Sequence, residues 1–129
     1  SAAIDFICYA KQRGIKPVIG VEFRNGNSLL YIGIAKNKDG FEEINRHLTS
    51  HLLHGSHLRK RAPEFNNVSI IYPMGSWEPS QLNENEFLGL RINERWQLIR
   101  HEAYIDRYVV LHPVTFKKKP IPFIACCAP

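Results

Sequence analysis

Apolar residues recur at helical intervals in two parts of the chain. The first part is residues 3–13, which Gly14 follows, and the second runs from Phe41 to about Gly55. Intervals of three and four residues place apolar side chains on one face of a helix, so both parts are predicted to be amphipathic helices. The apolar positions of the second helix are Phe41, Ile44, Leu48 and Leu52.

Short apolar runs bounded by turn residues predict the strands. Val18–Phe23 and Ser28–Ala35 flank Asn25-Gly26-Asn27, which is typical of a tight turn, so these two runs should form a hairpin. Further strands are predicted at residues 68–72, 87–90 and 108–111, with a helix from Asn93 to about His101. Strands that alternate with helices favour an α/β fold in which neighbouring strands are parallel.

Composition narrows the class of protein only slightly. The 129 residues fit one domain, and lysine plus arginine exceed aspartate plus glutamate by 17 − 12 = 5. This modest surplus is compatible with a nucleic-acid partner but does not require one. No apolar run has the length of a membrane span, and the three cysteines form neither a disulfide framework nor a metal-binding spacing, which weakly favours the cytoplasm.

Two candidate sites follow from the residues alone. Glu22 closes a predicted buried strand, where a carboxylate is costly unless a cation or a metal compensates it. It is therefore either an ion-pair partner of Arg24 or of a lysine, or a metal ligand, and the pattern favours the ion pair. Among the histidines of the second helix, His51 borders the apolar stripe and is expected to point inward, whereas His47, His54 and His57 are expected to be solvated.

Four stretches together resemble one family. They are AAIDFICYAKQRGIKPVIGVEFRNG, YIGIAKNKDGFEEINRHLTSHL, RAPEFNNVSIIYP and YVVLHPVTFKKK, in this order over roughly residues 2–118. They are similar to the N-terminal PHP (polymerase and histidinol phosphatase) domain of bacterial DNA polymerase III alpha subunits. The resemblance implies a fragment of that DNA-directed DNA polymerase, with DNA and other replicase subunits as partners, in the cytoplasm and away from membranes.

The same resemblance implies a fold and a metal site. The expected fold is α/β: a partial, distorted (βα)7 barrel of the PHP type that lacks its first strands. In the family, strand ends hold divalent metals such as zinc, manganese or magnesium. The resemblance gives Glu22 and His51 the role of metal ligands, with His54 as a fallback for His51.

The chain also departs from the family. The family's first strand carries a His-x-His pair, which is absent here, and a later Asp-x-His pair is not recognisable. Metal catalysis needs a nearly complete ligand set, so no catalytic residue is assigned and the fragment alone is expected to be inactive. The alternative is a non-catalytic scaffold module that binds DNA or a partner subunit. A truncated barrel is also expected to expose strand edges and to self-associate.

The last residues differ from the family in a separate way. Residues 1–118 are assigned to a partial PHP domain and residues 119–129 to a divergent tail, expected to be disordered. Where the family continues with His-Arg-Leu-Leu-Arg-Ala, this chain reads Ile-Ala-Cys-Cys-Ala-Pro. A shifted reading frame can relate the two, so we interpret the tail as the product of a frameshift without a function of its own.

Overall fold

A computed structural model of the chain describes residues 2–112. This part divides into two compact units, one containing residues 2–19 and the other residues 20–112. The predicted tail, residues 119–129, lies outside the described residues. The regular elements are helices α1 (Ala2–Gln12) and α2 (Lys38–His54), and strands β1 (Gly20–Asn25), β2 (Ser28–Ala35), β3 (Val68–Pro73), β4 (Glu86–Leu90) and β5 (Tyr108–Val110).

The first unit contains α1. The helix ends at Gln12, and a Schellman turn closes it: the N–H of Gly14 donates to the carbonyl of Lys11 and that of Ile15 to the carbonyl of Ala10, at 3.1 and 2.9 Å. These bonds satisfy carbonyl groups that the end of a helix leaves without a partner. The predicted helix of residues 3–13 and its end at Gly14 are confirmed.

The five strands of the second unit form one mixed sheet in the order β1-β2-β3-β4-β5. Strands β1, β2 and β3 are antiparallel neighbours, whereas β3, β4 and β5 are parallel neighbours. The hairpin predicted at Asn25-Gly26-Asn27 is present, with Asn25 opposite Ser28. The prediction that neighbouring strands are parallel holds for only half of the sheet.

The expected partial (βα)7 barrel is wrong. A (βα) barrel needs parallel strands that close on themselves, with a helix after each strand. Here β1 leads directly into β2 through a hairpin, and β2 pairs antiparallel with β3. Strands β1 and β5 lie at opposite ends of the sheet, so within residues 20–112 the sheet stays open. The domain is a small mixed α/β unit.

The core lies on one face of the sheet. Strand alternation places Phe23, Tyr31 and Tyr72 on this face, where α2 contributes Ile44. The ring of Phe23 lies 4.8 Å from that of Tyr31, centroid to centroid. All the largest fully buried side chains belong to this cluster: Tyr31, Tyr72, Phe23, Ile44, Leu88 and Val68.

Helix α2 has a defined end at each terminus. The side chain of Asn37 accepts a hydrogen bond of 2.9 Å from the backbone N–H of Gly40, which is an N-cap. At the other end, Gly55 has a φ of 60°, a conformation that favours glycine, and its N–H donates to the carbonyl of His51. The chain therefore turns sharply after His54 and runs back towards the sheet.

The segment after β4 differs from its prediction. Residues Ile92–Arg107 form 3-10 turns, interrupted by non-helical backbone at His101 and Tyr104, instead of the helix expected at 93–101. None of these residues is buried. Without an apolar face packed on the core, little selects a regular α-helix here.

Candidate functional site

A concave region of the second unit lies between the end of α2, the hairpin turn and the loop after α2. Two adjoining cavities of about 510 and 540 Å³ share His51, Ser56 and His57 in their walls. We call the two cavities together the histidine groove. Its remaining charged and imidazole lining residues are Arg24, His47, Arg59, Arg61 and Glu64.

The spacing of residues on α2 and two hydrogen bonds from Asn25 determine the positions of the groove walls. His47 and His51 are four residues apart on α2 and so lie on the same side of the helix. After the Gly55 turn, the backbone of Leu58 is fixed by the Asn25 side chain, which donates to the Leu58 carbonyl (3.0 Å) and accepts from its N–H (3.3 Å). The hairpin turn and the loop after α2 are thus joined by a pair of hydrogen bonds.

His47 forms the inner wall of the groove. Its ring packs 5.2 Å from that of Phe23 and 5.8 Å from that of Phe65, and its Nε2 lies 3.0 Å from the Tyr31 hydroxyl. Burial lowers the pKa of His47, with a further contribution from His51, while burial raises the pKa of Tyr31 to about 12. A neutral His47 that carries its proton on Nδ1 accepts this bond from Tyr31.

His51 lies between the two cavities. It is half-buried, and its Nδ1 atom is buried without a hydrogen-bond partner among the described residues. His54, in contrast, is exposed and its Nδ1 lies 2.7 Å from the carbonyl of Ser50. The inward position expected for His51 is present. Such an atom is an exception in a folded protein, because most buried polar side-chain atoms have a hydrogen-bond partner.

A buried charge cluster closes the groove near Arg61. The carboxylate of Glu86, a residue only 5% exposed, accepts hydrogen bonds from the Arg61 guanidinium (2.5 Å), the Tyr72 hydroxyl (2.5 Å) and the Asn83 N–H (2.7 Å). The Tyr72 hydroxyl in turn accepts from the N–H of Ala62 (3.0 Å). The cluster ties the loop after α2 to β3 and β4.

The hydrogen bonds of this cluster decide the charge of Glu86. Burial alone would raise its pKa, but hydrogen bonds from Tyr72, Asn83 and Arg61 outweigh burial and hold the pKa below its usual value. The pKa of Tyr72 is raised, first by burial and then by its bond to Glu86. At neutral pH, Glu86 is therefore a carboxylate and Tyr72 a neutral phenol.

Glu22 is placed differently from His51. Its Oε2 accepts a hydrogen bond of 2.8 Å from Nε of Arg24, and both side chains are about half exposed. Because side chains alternate along a strand, Glu22 points to the opposite face of the sheet from Phe23, which contacts α2. The ion pair with Arg24 was the interpretation that the residue pattern favoured, and it is present.

A divalent metal ion requires several coordinating side chains that lie close together. Within residues 2–112, no three histidine, cysteine, aspartate or glutamate side chains lie close enough to hold a metal ion. Glu22 is bound to Arg24, whereas His51 lies in the wall of the histidine groove, and two ligands alone do not complete the coordination of a divalent metal. The metal roles of Glu22 and His51 stay predictions from the resemblance.

The sequence reasoning missed most of the groove. His47 was expected to be solvated, but it is half-buried, three residues after the fully buried Ile44, and its ring packs against Phe23. That spacing could have indicated its position. The contact between Arg61 and Glu86 could not be predicted from the sequence, because these residues are 25 positions apart and only the fold brings them together.

Comparison of the chain with profiles of known protein families, with curated proteins and with solved structures gave no match. Within the described residues, no helix combines the length and the apolar character needed to cross a membrane.

Proposed function

We propose that the chain is part of the alpha subunit of a bacterial replicative DNA polymerase, DNA polymerase III. The observation that carries the proposal is the order of the four family-like segments along the chain. The first segment comprises α1 and β1, and the second comprises most of β2 and most of α2. The third contains the loop that Arg61 anchors together with β3, and the fourth begins with β5. DNA, other replicase subunits and the cytoplasm follow as its expected partners and location.

The complete open reading frame around this chain tests the proposal. We expect the frame to continue on both sides, with a His-x-His strand upstream and the aspartates of a polymerase palm downstream. We also expect the frame to restore His-Arg-Leu-Leu-Arg-Ala in place of residues 124–129. An intact frame that encodes this same tail and then stops would contradict both the assignment and the frameshift.

A non-catalytic module that binds DNA or a partner subunit is the second candidate for this part of the subunit. The ion pair between Glu22 and Arg24 favours it, since a guanidinium that already satisfies a carboxylate competes with a metal for the same oxygens. For this candidate we expect no manganese- or zinc-dependent hydrolysis of a phosphodiester by the chain. Clear turnover that the Glu22→Gln variant loses would contradict it and would restore the metal role of Glu22.

A further inference from the structure

The histidine groove combines donors that suit a phosphate group. The 510 Å³ cavity is lined by Arg59, by His51 and His57, and by the hydroxyl-bearing Ser50 and Ser56. Arginine, imidazole N–H and serine hydroxyl groups all donate hydrogen bonds to phosphate oxygens. The Nδ1 of His51, in the same wall, is buried without a hydrogen-bond partner among the described residues, so the fold leaves one polar atom of this wall unsatisfied.

Some charged side chains of the groove have no ion-pair partner among the described residues, and others have nitrogen atoms without a hydrogen bond. Arg59 makes no ion pair with any described residue, and Glu64, which lines the same cavity, is likewise exposed and unpaired within residues 2–112. Arg61 uses one terminal nitrogen for Glu86 and for the carbonyl of Gln81, and Arg24 uses Nε and one terminal nitrogen for Glu22 and Asn27. Each guanidinium therefore keeps a second terminal nitrogen for a ligand.

The two cavities are arranged in series. Arg24 lines the 540 Å³ cavity, Arg59 lines the 510 Å³ cavity, and His51, Ser56 and His57 lie where the cavities meet. An arginine in each of two adjoining cavities suits a ligand with negative charges that repeat along a chain. A flexible single strand can place successive phosphates in two recesses, whereas a stiff duplex cannot bend into them.

We propose that the histidine groove binds the phosphodiester backbone of single-stranded DNA. This inference rests on the proposed function only for the choice of DNA as the nucleic acid. Arg24 and Arg59 each face a phosphate, and the shared wall of His51, Ser56 and His57 holds the linkage between them. The Asn25–Leu58 hydrogen bonds fix the hairpin turn relative to the loop after α2, so the walls of the two cavities are in position without a ligand.

Fluorescence anisotropy with a labelled oligothymidylate of about 12 nucleotides tests the proposal on the full chain. We expect Arg59→Gln to weaken binding about fivefold and to reduce the slope of log Kd against log salt by about 0.7, the value for one phosphate contact on a single strand. Lys60→Gln is the matched control, because it removes the same charge from the adjacent exposed residue, which lines neither cavity. We expect its Kd to change less than about twofold.

Several outcomes would overturn the proposal. These are equal losses for the Arg59 and Lys60 variants, equal affinity for a duplex, and no binding to oligothymidylate at low salt. Binding of inorganic phosphate without binding of the oligonucleotide would also contradict it. Thermal unfolding of each variant, followed by circular dichroism, confirms that the fold is retained. The test is independent of the reading frame, so it can fail while the polymerase assignment stands, or succeed while that assignment fails.

Discussion

Two glutamates show how the surroundings of a residue determine what its charge does. Glu22 lies half exposed and pairs with Arg24, an arrangement that contributes little to stability because water screens the charges. Glu86 is buried and accepts three hydrogen bonds from Arg61, Tyr72 and Asn83. Removing one partner of a buried charge leaves that charge uncompensated, so Glu86 and its partners should be sensitive to substitution.

The Tyr72 hydroxyl is the first test of this cluster. Tyr72→Phe removes the donor to Glu86 and the acceptor of the Ala62 N–H, so we expect a loss of about 2 kcal/mol in the free energy of unfolding. Tyr108→Phe is the control, since the Tyr108 hydroxyl is buried without a hydrogen-bond partner among the described residues. Its removal should change stability by less than about 0.5 kcal/mol. Urea unfolding measures the free energy of unfolding of both variants. Equal losses of stability in the two variants would contradict the role given to the cluster.

The charge of Glu86 gives a prediction in pH. Its pKa is lower in the folded chain than in the unfolded chain, so its contribution is complete above about pH 4.3 and is lost as the pH falls through the folded value. We therefore expect the difference in urea midpoint between the wild type and Glu86→Gln to shrink between about pH 6 and pH 3. Glu84→Gln, an exposed change two residues away, should show no such trend. A constant difference for Glu86→Gln would contradict the assigned cause.

At the scale of the element, the periodicity of apolar residues predicted the bounds of α2 well, but it did not predict which turns of the helix are buried. Ile44 is fully buried and Leu48 packs against the core, whereas Leu52 is 76% exposed. The buried stripe therefore ends near His51, before the last turn of the helix. The N-terminal half of α2 approaches β3 closely instead, where the N–H of Asn67 donates to Glu43 and the Asn37 side chain donates to Asn67.

Gly40 should be essential to that close approach. A Cβ at this position would overlap the backbone carbonyl of Asn67, which is held in place because its oxygen accepts a hydrogen bond of 2.9 Å from the N–H of Lys36. We expect Gly40→Ala to destabilise the protein by about 2 kcal/mol, although helix propensity alone predicts a gain of about 1 kcal/mol. Thr49→Ala, at an exposed position of the same helix, should stabilise by about 0.5 kcal/mol. A stabilised Gly40→Ala variant in thermal unfolding would show that the two elements can separate without cost.

The strands show what a sequence pattern can predict. Tyr31 and Ser28 lie in a run whose boundaries were predicted correctly, because turn residues and apolar runs are local signals. Strand direction is not local: β3 pairs antiparallel with β2 because the chain returns through α2 and the long loop after it, which Arg61 anchors to Glu86. A charged residue inside β4 could not be foreseen, since its partners come from other parts of the chain.

At the scale of the whole molecule, the sheet formed by residues 20–112 has two terminal strands, β1 and β5. Strand β5 has only three residues, and its last one, Val110, is 70% exposed. Strand β1, at the other end, carries the ion pair of Glu22 and Arg24, and charges on an edge strand discourage pairing with a second chain. The edge at β5 lacks such a charge within Tyr108–Val110, so it is the more open to association.

We therefore expect the chain to self-associate through β5. Light scattering at rising concentration should show dimers or larger species, and Val110→Lys should shift the distribution towards monomer by adding a charge to the edge. Val18→Lys, at a residue 56% exposed and outside any strand, is the matched control and should leave the distribution unchanged. A clean monomer for the wild type at every concentration would contradict this expectation.

The assignment to a replicative polymerase has its most direct test in primer extension. The protein expressed from the complete reading frame that contains residues 1–118 should incorporate deoxynucleotides onto a primed DNA template. An inactivated palm, with its downstream aspartates changed to asparagine, serves as the control and should abolish incorporation. A complete, folded protein that adds no nucleotide, or a frame without a polymerase palm, would contradict the assignment.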